Sequence, residues 1–167
     1  TGIEFQGSNA LVQHNLVTHF CYVLDDGAGI YTYVDASPEN PGPPFVNRTI
    51  RNNIILYGTG APQGSIYKAK AEGIYLDAGT MNMMVLNNTI AHLSYRAIAC
   101  NNPRDVLIRG NTCFNTGLSW GIARPHVWRS FGNVEIKDNI FCPLTEQQHL
   151  GFFSYNALNN PEDLNIW

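Results

Sequence analysis

The sequence predicts an all-β chain wound as a single-stranded right-handed parallel β-helix, a solenoid of about five to six coils. Three observations carry this reading. A small residue followed by an apolar one recurs as Gly2-Ile3, Gly29-Ile30, Gly73-Ile74, Ala97-Ile98 and Gly121-Ile122, at intervals of 27, 44, 24 and 24 residues, with Gly151-Phe152 a weaker sixth member. An asparagine recurs in register in "LVQHNLV", "TIRNNII", "MVLNNTI", "LIRGNTC" and "EIKDNIF", at Asn15, Asn53, Asn88, Asn111 and Asn139. Each has an apolar residue three before it and another two after it. Finally, the segments are rich in Asn, Gly and β-branched residues, which form helices poorly and read as short strands between turns. Repeats of about two dozen residues, each with two or three short strands, cannot bury an apolar face alone and stack into a solenoid. Right-handedness follows from the crossover preference of parallel strands.

Taken in order, the elements obey one alternation. In "GIYLD", Ile74 and Leu76 face inward while Tyr75 and Asp77 face out. The same parity puts Ile3 and Phe5, Ile30 and Thr32, Ile98 and Cys100, and Phe152 and Ser154 inside. The registered asparagines are expected at tight turns, since Asn tolerates the left-handed region and its amide can pair with the next coil. The long interval between Gly29 and Gly73 holds two insertions, near 34–46 ("VDASPENPGPPFV", with four prolines) and near 57–71 ("YGTGAPQGSIYKAKA"). Proline cannot serve a central ladder, so both are expected to loop out beside the stack, where functional residues concentrate.

Size and composition bound the rest. At 167 residues the chain is one domain, 1–167, long enough for a real core. Because Thr1-Gly2-Ile3 opens inside a repeat and the last residues are apolar, it reads as a piece of a longer protein. A net charge of −3 with 10 Lys+Arg argues against nucleic acid as partner, and no apolar run is long enough for a membrane span. Cys21, Cys100, Cys113 and Cys142 lack metal-ligand spacing and read as buried free thiols. The five histidines (14, 19, 92, 126 and 149) scatter without metal spacing and suit surface or turn positions. No metal and no cofactor is expected. Asn47-Arg48-Thr49 and Asn87-Asn88-Thr89 match the glycosylation acceptor pattern.

"DGAGIYT" at 26–32 and "GIYLDAG" at 73–79 resemble paired segments of pectate-lyase-like right-handed β-helix proteins, and more narrowly the bacterial carbohydrate-active proteins around glycoside hydrolase family 141. The broad resemblance spans nearly the whole chain, the narrower one about residues 24–114. It implies a secreted, extracellular or periplasmic protein acting on a polysaccharide or oligosaccharide. It also implies two working acids, Asp26 and Asp77. Relatives often carry histidines in the following coil, where this chain has "AIACNNPRD".

The residues themselves suggest a second pairing. Glycoside hydrolysis needs two carboxyl groups about 5–9.5 Å apart. With Gly29 aligned to Gly73, Asp26 lies opposite Lys70 and about 20 Å from Asp77 on straight strands, whereas Glu72 is about 8 Å away. Asp26 is thus paired with Asp77 by resemblance and with Glu72 by geometry. Tyr31, Tyr33, Tyr75, Asn101 and Arg96 are the expected substrate-binding residues, since rings and amides suit sugars. Arg96 and Lys70 are also read as solvated charges or uronate contacts. Arg124, His126 and Trp128 are placed near a far subsite. A polysaccharide lyase and a non-catalytic glycan-binding or structural segment are the competing readings.

Overall fold

The structure, a computed structural model, describes residues 1–61, 63, 69–123, 131–153 and 164–166. Arg124, His126, Trp128 and Ser154 lie outside these. Among the described residues there are strands and no helix. The strands are β1 Ile3–Glu4, β2 Leu11–Gln13, β3 Leu16–Thr18, β4 Gly27–Thr32, β5 Arg48–Arg51, β6 Ile54–Leu56, β7 Ala71–Leu76 and β8 Met81–Leu86. They continue as β9 Thr89–Asn101, β10 Arg104–Arg109, β11 Thr112–Ala123, β12 Gly132–Lys137, β13 Ile140–Cys142, β14 His149–Phe153 and β15 Leu164–Ile166. They form two sheets in which every pairing is parallel. One runs β1-β4-β7-β9-β11-β13 with β3, β6 and β14 attached; the other runs β15-β12-β10-β8-β5-β2. The chain visits the sheets in turn, so each strand pairs with its counterpart one repeat away.

Identical or similar residues stack at the same register. Ile3 pairs with Ile30, Ile30 with Ile74 and Ile74 with Ile98. In the second sheet Ile50 pairs with Val85, Val85 with Ile108 and Ile108 with Ile136. These side chains and their neighbours make one apolar core between the sheets.

The asparagines bind the repeats together. Asn53 donates its Nδ2 to Asn88 Oδ1 and to the Val12 carbonyl, each at 3.0 Å. Asn88 donates to Asn111 Oδ1 at 2.9 Å and to the Ile50 carbonyl at 3.1 Å. Asn111 donates to Asn139 Oδ1 at 3.0 Å. Each Oδ1 also receives the backbone N–H of the preceding repeat's asparagine, for example Asn88 N to Asn111 Oδ1 at 2.9 Å. The left-handed conformation expected of these asparagines belongs instead to the residue before each: His14, Asn52, Asn87, Gly110 and Asp138, with φ between 53° and 67°. A ladder side chain must point into the stack to reach its successor, so the preceding residue makes the bend. Five residues after those bends comes another set of positive φ, at His19, Tyr57, His92 and Asn115.

Glycine at the Gly-Ile pairs has a steric cause. A Cβ on Gly73 would lie 2.6 Å from the Ala97 carbonyl oxygen and 2.6 Å from Ile90 Cγ2; on Gly29 it would lie 2.6 Å from Ile55 Cγ2. Both vectors point into the core, as do Ile30 and Ile74. Alternation therefore breaks there, with two successive residues facing inward.

Two register expectations and one burial expectation are corrected. Gly121 pairs with Ala99 rather than Ala97, helped by a one-residue shift between Thr116 and Leu118; the net difference of two residues from the expected register keeps Ile122 inside. Gly151 pairs with Trp120 rather than Gly121, and this slip of one turns Phe152 outward, 48% exposed. The indole forces it, since a Cβ at 151 would lie 2.1 Å from Trp120. Cys21, Cys100 and Cys113 are buried free thiols, but Cys142, on the edge strand β13, is exposed. The segment between β4 and β5 contains no strand. No helix among the described residues is long and apolar enough to cross a membrane.

Candidate functional site

The outer face of β4, β7 and the end of β9 gathers most of the expected site residues. Register puts Ala28 beside Glu72 and Tyr31 beside Tyr75, and Tyr75 beside Ala99. Tyr75 and Asp77 were both expected to face out. Tyr75 does leave the core, but it is only 4% exposed, because Ala28, Ala99 and Tyr31 pack around its ring in a small cluster of their own. The Tyr31 ring lies 5.4 Å from that of Tyr75 and 5.6 Å from that of Tyr33.

Asp77 is the hub. It follows the last residue of β7, and its carboxylate accepts three hydrogen bonds. Tyr31 Oη donates at 3.1 Å, Asn101 Nδ2 at 2.8 Å and the Ala78 N–H at 2.7 Å. Asn101 Nδ2 also lies 2.6 Å from Tyr75 Oη. The Asp77 backbone N–H donates to the Thr32 carbonyl at 2.8 Å, which fixes the strand end. Burial, then the charges of Asp77 and Asp26, hold both tyrosine hydroxyls far above their ordinary range, so both stay protonated, Tyr31 donating to Asp77 and Tyr75 accepting from Asn101.

Beside this group is an ion pair that sequence reasoning did not assemble. Arg96 Nη2 meets Glu72 Oε1 at 2.6 Å, with the side chains 12% and 2% exposed. Arg96 is neither a solvated charge nor free for a uronate. Its guanidinium also lies 4.8 Å from the Tyr95 ring centroid and 5.7 Å from that of Tyr75. Glu72 Oε2 and Arg96 Nε are buried without partners. Burial raises the Glu72 pKa, Arg96 works against that rise, and the charge of Asp26 adds to it. For Arg96 burial disfavours the charge, but Glu72 outweighs it and the pKa is raised. The missed signal was an interval: Glu72 and Arg96 are 24 residues apart, as are Gly73 and Ala97, and Asp77 and Asn101.

Asp26 sits just before β4 with φ 58° and is exposed. Its charge acts on Glu72, Tyr31 and Tyr75, so it faces the same group from one side. Lys70 stands over the Tyr95 ring at 5.2 Å. Of the three candidate acids Asp26 and Asp77 reach solvent, while Glu72 is covered; exposed Glu4, in register with Tyr31, brings a further carboxylate to the same face. Among the described residues no group of three or more His, Cys, Asp or Glu side chains is arranged to hold a metal.

Comparison with known proteins adds no relative: no protein-family model, no curated protein and no solved structure matches the chain.

Proposed function

We propose that the chain is a segment of a right-handed parallel β-helix that degrades glycans as a glycoside hydrolase, outside the cytoplasm where polymeric sugars are met. The observation that carries this reading is the hydrogen-bonded group of Tyr31, Tyr75, Asp77 and Asn101 with exposed Asp26 at its side. Such a surface offers a sugar ring an aromatic flank, amide and hydroxyl partners, and two carboxyl groups. By resemblance the working pair is Asp26 and Asp77, one giving a proton to the leaving oxygen and the other acting as carboxylate; the β4–β7 register sets their backbones about 20 Å apart, so the pairing requires Asp26 to turn back over Tyr75, on which its charge acts. Glu72 is too covered to touch a substrate; with Arg96 it braces Tyr75 from behind. Lyase chemistry needs a cation to neutralise a uronate, and Arg96 is already committed to Glu72.

Turnover of a glycan panel by single variants tests the assignment. Asp26→Asn and Asp77→Asn should each lose about 10³-fold or more, the order for removing a catalytic acid or base. Glu72→Gln should lose far less turnover. If both aspartate variants stay within a few-fold, the catalytic reading fails. A non-catalytic glycan-binding segment is the second reading, favoured because Asp77 also builds a turn, its carbonyl accepting Thr80 Oγ1 at 2.8 Å. In that case Tyr31→Ala weakens glycan binding while no variant alters any turnover.

A further inference from the structure

The hydrogen bonds around Asp77 leave its two oxygens unequal. Asn101 stands one repeat later, in the position after the Leu76–Cys100 pair of β7 and β9. Its Nδ2 donates one proton to Tyr75 Oη at 2.6 Å and the other to Asp77 Oδ1 at 2.8 Å. A side-chain amide has two N–H groups, so none remains for a sugar hydroxyl. Ala78 lies in the left-handed region, φ 49°, and its N–H turns back onto the same Oδ1 at 2.7 Å. A carboxylate oxygen offers about two lone-pair sites, and on Oδ1 both are filled. Among the described residues Oδ2 accepts only Tyr31 Oη, at 3.1 Å, which leaves one site open on a half-buried side chain. Backbone bonds hold the frame: the Asp77 carbonyl receives the Thr80 N–H at 3.2 Å, and the Asn101 carbonyl receives the Gly79 N–H at 2.8 Å.

We infer that Asp77 acts through Oδ2 alone, as the electron-pair donor of the two acids, and that Asn101 is a positioning residue that holds Oδ1 away from the substrate. This rests on the glycosidase reading above and divides the labour within it. Three donors already point at this carboxyl, and a proton carried on Oδ2 would fill its last open site. The proton for the leaving oxygen then comes from the other acid, Asp26. The bond from the anomeric carbon to the leaving oxygen breaks, its electron pair stays with that oxygen, and the oxygen takes the Asp26 proton. Oδ2 gives its own pair on the opposite side, to the anomeric carbon or to a proton of the attacking water. In both cases one water is consumed per bond and both carboxyl groups are restored.

Leaving groups test the division. On dinitrophenyl glycosides the departing oxygen needs no proton; on the matching phenyl glycosides it does. Asp77→Asn should lose about 10³-fold in turnover on both series, and Asp26→Asn should lose as much on the phenyl series only, keeping within about 10-fold on the dinitrophenyl one. The reverse pattern overturns the inference and leaves a hydrolase. Near-native turnover by both variants on both series removes the hydrolase reading itself. Asn101→Ala, assayed below its own thermal midpoint with circular dichroism showing it folded, should lose about 10²-fold in kcat with KM unchanged, the order for a reacting atom displaced by about 1 Å. A raised KM at unchanged kcat would make Asn101 a substrate contact, and unchanged values of both would make it a strand-end bond only; either outcome overturns the positioning role.

Discussion

Replacing Asn88 by alanine deletes four hydrogen bonds at once, and the structure fixes what each loss leaves behind. The side chain donates to the Ile50 carbonyl at 3.1 Å and to Asn111 Oδ1 at 2.9 Å. It accepts the N–H and the Nδ2 of Asn53, both at 3.0 Å. Two partners keep an alternative: Asn53 Nδ2 retains the Val12 carbonyl, and Asn111 Oδ1 retains the Asn88 N–H. The Asn53 N–H loses the acceptor on which it depends, and Asn53 is itself buried. At about 0.5 kcal/mol net for each of the four hydrogen bonds, the low end because two partners keep an alternative, plus about 1–2 kcal/mol for the stranded buried donor, the loss is about 3–4 kcal/mol. For a chain of this size that lowers Tm by about 6–15 °C.

Position along the ladder gives the control. Asn15 stands at its end and donates to the Gln13 carbonyl and Asn53 Oδ1. Asn15→Ala should therefore cost only about 1–2 kcal/mol. Arg109→Ala removes an exposed pair with Asp138 at 2.9 Å and should cost no more than about 1 kcal/mol. Thermal and urea unfolding of the three variants measures the order. If Asn88→Ala and Arg109→Ala shift the midpoint equally, the amide ladder is not what ties the repeats together.

Two further outcomes follow from the same geometry. Gly73→Ala should destabilise by about 1–3 kcal/mol, the cost of overpacking, because its Cβ meets the Ala97 carbonyl and Ile90; a neutral effect in urea unfolding would show that the bend gives way. The Glu72 pKa is raised above its ordinary 4.5 chiefly by burial, so from about that pH upward the native state holds a proton that the unfolded chain has released. Stability in that window falls as pH rises, and the fall should vanish in Glu72→Gln. Parallel pH profiles for the two proteins would contradict it.

The parallel strands and the stacked core were legible because two independent constraints name their residues. A buried position demands an apolar side chain every second residue, and a buried backbone N–H demands an amide in every repeat. Bends were assigned one residue too late. The left-handed positions are filled by His14, Asn52, Asn87, Gly110 and Asp138, all residue types that tolerate that conformation, but the ladder asparagine after each tolerates it as well and drew the assignment. The slip at Thr116 was hidden because Ala97 and Ala99 are equally small, so either satisfies the glycine opposite. At Gly151 the indole of Trp120 decided the register, and nothing in a Gly-Phe pair announces a tryptophan across the ladder.

The candidate site divides along the same line. Tyr31, Tyr75, Asp77 and Asn101 were found by parity, since each stands on the outer face one repeat from a partner. Glu72 was assigned to catalysis beside Asp26 and Arg96 to substrate or solvent, although the interval of 24 residues that aligns Gly73 with Ala97 also aligns the two with each other. Parity says which face a side chain takes; only the interval says whom it meets there. Once paired, their chemistry changes. A carboxylate 2% exposed and 2.6 Å from a guanidinium is held for orientation, and its neighbour Tyr75 is gripped on the face by Arg96 and at the hydroxyl by Asn101. The tyrosine that flanks Asp77 is thereby fixed from two sides before any ligand arrives. Of the three candidate acids, this leaves Asp26 and Asp77 as those that reach solvent on this face.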